Sequence, residues 1–163
     1  MPTPTTPGPD QESVWDYPRP PALESEDQRI RVVFNEVTIA DTTEALRVLE
    51  TSHPPVYYLP PDDIATEHLE REQQTTMCEF KGRAVYYTLT VGDRSARSAA
   101  WGYPDPTARF AELQDYVTFY ASKVDECYVG DEEARAQEGD FYGGWITDDV
   151  VGPFKGGPGT MGW

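Results

Sequence analysis

The stretch Ala84-Val-Tyr-Tyr-Thr-Leu-Thr-Val91, Gly92-Asp93, Arg94-Ser-Ala-Arg-Ser-Ala-Ala-Trp101 reads as two β-strands joined by a two-residue turn. Valine, tyrosine and threonine favour a pleated backbone. Glycine at the first turn position suits a type II′ turn, whose twist matches that of the flanking strands. The register then sets Val85, Tyr87, Leu89 and Val91 opposite Ala100, Ser98, Ala96 and Arg94, large residues over small ones on one face. Antiparallel pairing at the centre of the chain sets the expectation for the whole.

Working outward, Cys78 to Gly82 leads into this hairpin and Tyr103-Pro-Asp-Pro106 turns out of it. Thr107 to Gln114 reads as helical, Tyr116 to Tyr120 as apolar and aromatic, and Val124 to Val129 as a last strand. Upstream, Arg31-Val-Val-Phe34 and Val37-Thr-Ile-Ala40 form a second hairpin about Asn35-Glu36. Asn35 suits the first turn position, while Glu36 fits a type I′ turn less well than glycine, which leaves a longer or different turn open. Asp41 or Thr42 caps a short helix expected over Thr43 to Leu49, with Ala45, Leu46, Val48 and Leu49 as its apolar side. Pro54-Pro55 ends it, Val56 to Leu59 is a short strand, Pro60 to Asp63 a turn, and Ile64 to Glu72 one or two helical turns. The fold class expected is α+β, mainly antiparallel β: a small single domain with a curled sheet and a few short helices. Residues 1–12 read as a disordered tail, 13–130 as the β-rich domain and 131–163 as an acidic, then Gly-rich aromatic tail whose rings suggest docking on the chain itself or on a neighbouring molecule. Within the second segment, Val14-Trp15-Asp16-Tyr17-Pro18 and the prolines after it suggest an extended strap anchored by its rings.

Composition bounds the function. With 163 residues, 38% hydrophobic and 12% aromatic, the chain can bury the core of one domain. No apolar run reaches the ~20 residues of a membrane span. The first residues have neither a basic start nor an apolar stretch, so a cytoplasmic location is expected. Two cysteines, Cys78 and Cys127, are too few for a disulfide scaffold and lack C-x-x-C spacing, so no metal site is expected. The net charge of −16 argues against nucleic acid and anionic membrane as partners. Charge is uneven. Between Asp125 and Asp149 nine acids face the single base Arg135, whereas Phe80 to Pro104 carries Lys81, Arg83, Arg94 and Arg97 against Asp93. That positive middle can receive a small anion, or its bases can simply pair with surrounding acids.

The chain contains no G-x-x-x-x-G-K-[ST] loop, no G-x-G-x-x-G and no G-x-S-x-G elbow. With His53 and His68 the only histidines, H-x-x-x-H metal sites are excluded. Asp62-Asp63 and Asp148-Asp149 lack the D-x-D spacing and the phosphate grip of nucleotidyl transfer, and read as turn and tail residues. What survives is a set of reactive side chains beside turns. Cys78 is a nucleophile if Lys81 or His53 activates it, and otherwise a small packed thiol. Lys81 holds an anion or lies on the surface. Glu50 is a general base or substrate anchor, or a carboxylate bonding the next loop. His53, before Pro54, reads as a packing residue.

The strings Glu12-Ser-Val-Trp-Asp-Tyr-Pro-Arg-Pro-Pro21, Val48-Leu-Glu-Thr-Ser-His-Pro-Pro-Val-Tyr-Tyr58, Cys78-Glu-Phe-Lys-Gly82, Ala100-Trp-Gly-Tyr-Pro104 and Val117-Thr-Phe-Tyr120 resemble the domain of unknown function 427 family, sometimes labelled nucleotidyltransferase-like. The resemblance covers roughly residues 12–130, and the glycine-rich end is similar to that of longer members. It implies a compact, mainly antiparallel β domain and no established activity or cofactor. It points to Glu50, Tyr57, Cys78, Lys81, Trp101 and Tyr103. We expect Tyr57, Trp101 and Tyr103 to wall a pocket in which Glu50, Lys81 and Cys78 are the polar groups, binding a small molecule, with an anion as one option. Two other readings compete. In one, the Trp15 strap and the Trp145–Trp163 tail dock on a protein partner or on a second copy as a homodimer. In the other, Cys78 or an acid–base pair makes the chain an enzyme.

Overall fold

The computed structural model describes residues 2–139 and 142–163. The chain opens with β1 (Glu12–Ser13), a 3-10 turn over Val14–Asp16 and β2 (Ala22–Glu26). A hairpin follows, β3 (Ile30–Phe34) and β4 (Val37–Thr42), then β5 (Ala45–Leu49) and β6 (Val56–Tyr58). The central meander is β7 (Leu69–Cys78), β8 (Gly82–Val91) and β9 (Arg94–Gly102). After a 3-10 segment, Ala108–Leu113, come β10 (Val117–Phe119) and β11 (Glu126–Val129). Four two-residue strands end the chain: β12 (Glu132–Glu133), β13 (Arg135–Ala136), β14 (Trp145–Ile146) and β15 (Val150–Val151).

The strands divide among two four-stranded sheets, β10-β9-β8-β7 and β12-β11-β3-β4, the three-stranded β2-β5-β6 and two two-stranded ladders, rather than one curled sheet. Pairing is antiparallel except between β1 and β15. The main core lies where Ile30, Val32 and Phe34 of β3 meet Leu89 of β8, Ala100 of β9 and Phe119 of β10. A second cluster gathers Leu46, Val48 and Tyr58 with Trp101, Phe110 and Leu113. Among the described residues no helix is long and apolar enough to cross a membrane.

The β-rich expectation holds, but the helical turns among the described residues are all 3-10, and the helix expected over Thr43 to Leu49 is the strand β5. The capping bond itself forms, Thr42 Oγ1 accepting from the amide of Glu44 at 2.9 Å, but it serves a turn into a strand. β5 pairs with β2 on one edge and β6 on the other, and every residue but Arg47 is buried. A strand buried on both faces shows no alternation, so its apolar run reads equally as a helix side. The Asn35-Glu36 turn is a two-residue one after all: both residues take positive φ, 49° and 66°, and Phe34 pairs with Val37. Tertiary bonds hold it, with the Asn35 amide on the Asp125 carboxylate (2.7 Å) and Asn35 Nδ2 on the Val91 carbonyl (2.9 Å).

The central hairpin keeps the expected register at Leu89–Ala96 and Val91–Arg94, then slips, so that Tyr87 faces Ala100 and Val85 faces Gly102. β7 bulges at the same level of β8, between Arg71 and Thr75. Glu72, inside that bulge, reaches across β8 and ties the two irregularities together. Its carboxylate accepts the amide (2.6 Å) and hydroxyl (2.8 Å) of Ser98 and the hydroxyl of Thr88 (2.9 Å). Burial penalises the charged carboxylate, yet these bonds outweigh it and hold its pKa below the usual range.

Residues 131–139 and 142–163, within the expected tail, pack back onto the domain, so the aromatic end docks on the chain itself; the rest of that tail, residues 140 and 141, lies outside the described residues. Trp145 is fully buried in the main core, its indole N–H donating to the Phe119 carbonyl at 2.9 Å. Trp15 donates to the Pro153 carbonyl at 2.9 Å and meets the Trp163 ring at 5.6 Å. Near the other end, the Thr5 amide bonds the Gly152 carbonyl at 2.8 Å. The aromatic anchors of both ends are therefore seated within this chain. Trp145→Ala, which empties a large core site, is expected to lower stability by about 3–5 kcal/mol. Urea unfolding checks this, and an unchanged midpoint would show that the C-terminal stretch does not share the core.

Candidate functional site

A cleft of about 360 Å³ opens over the second core cluster. Its floor is aromatic. Tyr58 and Tyr103 meet with centroids 6.2 Å apart, and Trp101 stacks at 4.3 Å on Tyr120. Tyr58 comes from β6, Trp101 from β9, and Tyr103 from the turn that follows β9. Burial drives the Tyr58 and Tyr103 hydroxyls far above their ordinary pKa, so both stay protonated.

Five of the six residues expected in a pocket do line this cleft: Glu50, Cys78, Lys81, Trp101 and Tyr103. Tyr57 does not. Successive strand residues face opposite sides, so Tyr58 takes the cleft and Tyr57 turns into the main core, 5.3 Å from Trp145. Cys78 and Lys81 sit on the tight β7–β8 connection, where Cys78 pairs with Gly82. That connection is pinned to the 3-10 segment: the Thr107 amide bonds the Lys81 carbonyl (3.0 Å) and its hydroxyl the Phe80 carbonyl (2.7 Å). Cys78 is a free thiol, and Lys81 Nζ lies 5.9 Å from the Tyr103 and Phe110 rings.

The opposite wall is the turn after β5. Ser52, with φ of 72°, swings the chain so that the His53 amide bonds the Glu50 carbonyl (3.0 Å). The Ser52 amide bonds the Val14 carbonyl (3.0 Å), and its own carbonyl accepts the Lys155 amide (2.8 Å). The turn is clamped between the N-terminal strap and the C-terminal stretch, which sets Lys155 and Tyr142 beside His53. Lys155 Nζ lies 5.5 Å from the Tyr142 ring, and Tyr142 meets His53 edge-on at 4.9 Å. Gly143 runs flat against Trp101, where any Cβ would overlap the indole.

The proton on His53 can be placed. Gln137 is 3% exposed, and backbone groups fix its amide: Oε1 accepts from the Gly144 amide (3.0 Å), while Nε2 donates to the Lys155 carbonyl (2.7 Å). Gln137 Nε2 also lies 3.1 Å from His53 Nδ1. As this nitrogen can only donate, Nδ1 must accept, and the ring carries its proton on Nε2. Nε2 faces the Glu50 carboxylate at 3.7 Å, and Glu50 is itself held by Arg19 at 3.2 Å. Burial lowers the His53 pKa to about 4, against the pull of Glu50 and aided by Lys155, Arg19 and Lys81. The imidazole is thus a neutral N–H donor at neutral pH, not merely a packing residue.

Tyr57 and Tyr58 both stand out in the sequence as candidate pocket residues on one strand, and strand alternation decides for Tyr58. Gln137, Tyr142 and Lys155 do not stand out. The aromatic residues of the C-terminal end suggest docking, but nothing local says that it folds over the turn at Ser52 and His53.

A family model described as a domain of unknown function (DUF427) matches residues 22–130. The chain belongs to this family. No curated protein matches the chain. The DUF427 match contains most of the aromatic floor and Lys81, but Gln137, Tyr142, Gly143 and Lys155 lie beyond it. Among the described residues no group of three or more His, Cys, Asp or Glu side chains is placed to hold a metal ion.

Because an unfolded histidine titrates near 6.5, the unfolded chain binds a proton at His53 that the folded chain refuses until about pH 4. The stability contributed by neutral His53 is therefore complete above pH 6.5 and lost as pH falls from there towards 4. NMR titration of the imidazole C–H resonances, assigned with a His53→Gln variant, should give a midpoint near 4. A midpoint near 6.5 would mean that His53 is open to water.

Proposed function

We propose that the protein binds a small anionic molecule in this cleft, its apolar or ring portion against Trp101 and the tyrosines and its negative group between Lys81 and Lys155. The observation that carries this reading is the state of the two lysines. Neither Lys81 nor Lys155 pairs with a carboxylate among the described residues, whereas Arg19, Arg29, Arg47, Arg94 and Arg135 do; Arg31, Arg71, Arg83, Arg97 and Arg109 also lack one, but none of these lines the cleft. Lys155 reaches the Trp163 carbonyl, at 3.5 Å, and the Tyr142 ring, and Lys81 faces the rings of Tyr103 and Phe110. Lys123 also lacks a carboxylate, but it lies off the cleft and donates to the Ser98 carbonyl at 3.2 Å.

Two cations beside one aromatic cleft, in a chain with 29 acidic against 13 basic side chains, suit an anion better than a neutral ligand. His53 adds an uncharged N–H donor whose direction Gln137 fixes, and Arg19 balances the charge of Glu50. The cleft volume falls in the lower range for small-molecule pockets. Trp15, Trp145 and Trp163 are occupied within the chain, which weighs against a surface that recruits partners through them.

Native mass spectrometry of the protein purified from its source, followed by denaturation, tests the reading. A recurrent bound anion is expected. Lys81→Ala should bind it about tenfold or more weakly, the scale of one charge-assisted hydrogen bond, with an unchanged melting temperature. An empty protein, or an anion retained equally by Lys81→Ala, would overturn it.

A further inference from the structure

Charge inside the aromatic cleft is nearly balanced. Its charged lining among the described residues is Glu50, Glu79, Lys81 and Lys155, and Arg19 joins them through its bond to Glu50. His53, held by Gln137, is neutral at neutral pH. Three cations thus face two carboxylates, which leaves one positive charge. Such a site suits an anion with a single negative charge, as a carboxylate is. A phosphate monoester carries about two near neutral pH. Its second charge would stand uncompensated beside Glu50 and Glu79, and like charges repel.

The donors agree with this. Backbone amides of the turn wall are used within the fold: Ser52 donates to Val14, His53 to Glu50, Gly144 to Gln137 and Lys155 to Ser52. Helical turns among the described residues are short 3-10 segments, the longest of six residues, so none offers the row of free N–H groups on which phosphate is commonly held. What remains is one ammonium on each wall, Lys81 on the β7–β8 connection and Lys155 on the C-terminal stretch. Two ammonium groups match the two oxygens of a carboxylate, one from each side.

The apolar lining specifies what the carboxylate is attached to. Phe80 and Tyr86 join Tyr58, Trp101, Tyr103 and Tyr120 around the cleft, against few aliphatic side chains. Tyr58, Trp101, Tyr103 and Tyr120 are buried, whereas Phe80 and Tyr86 are half-buried, so much of the apolar surface still wet is theirs. Phe80 stands on the same connection as Lys81. The Tyr86 ring is steadied by a hydrogen bond between its hydroxyl and Thr76 Oγ1, at 2.8 Å. A ligand that covers these two rings removes their open faces from water. A flat ring does so with an additional gain, because ring pairs attract beyond the area they bury.

We propose, resting on the anion reading of the cleft, that its ligand is an aromatic monocarboxylate, the carboxylate bridging Lys81 and Lys155 and the ring lying against Phe80 and Tyr86.

NMR titration of the full chain with 3-phenylpropanoate tests the class, beside three relatives that each change one property. These are 3-cyclohexylpropanoate, which lacks the aromatic ring, 3-phenylpropanamide, which lacks the charge, and phenyl phosphate, which adds a second charge. Saturable binding of 3-phenylpropanoate is expected. The cyclohexyl compound should bind about threefold or more weakly, and the amide about tenfold more weakly. Phenyl phosphate should also bind more weakly than the carboxylate. Lys155→Met should weaken the carboxylate about tenfold and leave the amide unchanged. Phe80→Leu should bring the phenyl and cyclohexyl compounds to equal affinity, an outcome that general loss of structure would not give. Equal affinities of those two in the parent chain, or tighter binding of phenyl phosphate, overturn the class, while the anion reading stands if Lys81→Ala weakens both anions. Absence of saturable binding in a chain that native mass spectrometry finds loaded with another anion also overturns the class alone. An amide bound as tightly as the carboxylate overturns the class and the anion reading together.

Discussion

The rest of the molecule depends on one buried indole. Trp145 fills the main core between Tyr57 and the strand that ends at Phe119, and its N–H satisfies the Phe119 carbonyl at that strand's end. Tryptophan is the largest side chain, and Trp145 is the one of the four that is wholly buried, so it removes a large apolar surface from water. Its burial fixes where the C-terminal stretch must run. From that anchor, β14 pairs with β13, and Gln137 bonds the backbone on either side of the fold-back, at Gly144 and Lys155. Lys155 in turn is tied to Ser52.

The cleft follows from that fold-back. The DUF427 module supplies the aromatic floor with Lys81. The C-terminal stretch brings a second cation, Lys155, and the amide that fixes the His53 proton. The tyrosine pair of β6 divides the cleft from the main core, since Tyr58 faces one and Tyr57 the other across a single pleated strand.

Charge pairing is uneven as well. Around the cleft, Glu50 is held by Arg19, while Glu79, Lys81 and Lys155 have no ion pair among the described residues. Planar guanidinium forks match carboxylates two bonds at a time, as Arg29, Arg47 and Arg94 do here, whereas a lysine ammonium makes single, more mobile contacts. The large negative net charge is therefore unevenly expressed at the level of sites.

The sequence by itself determined much of the β architecture. The Gly92-Asp93 turn, the β3–β4 hairpin, the short strand before Leu59 and the aromatic positions Trp101 and Tyr103 were legible because strand alternation and turn chemistry act over a few residues. Glu50, Cys78 and Lys81 stood out as reactive side chains beside turns, the family resemblance pointed to the same positions, and all three line the cleft. Tertiary structure decided what local pattern cannot encode. β5 is a strand because neighbours pair with both its edges, and its two-sided burial erased the alternation that would have marked it. The central register slips because Glu72 pins two bulges from a different strand. Tyr57 and Tyr58 exchange roles because their faces are set by which layers cover β6. The protonation state of His53 and the placement of Lys155 beside the cleft arise from a stretch that reads as a tail until Trp145 finds its core site. Burial and charge pairing depend on what lies nearby in space, and that proximity exists only once the chain has closed on itself.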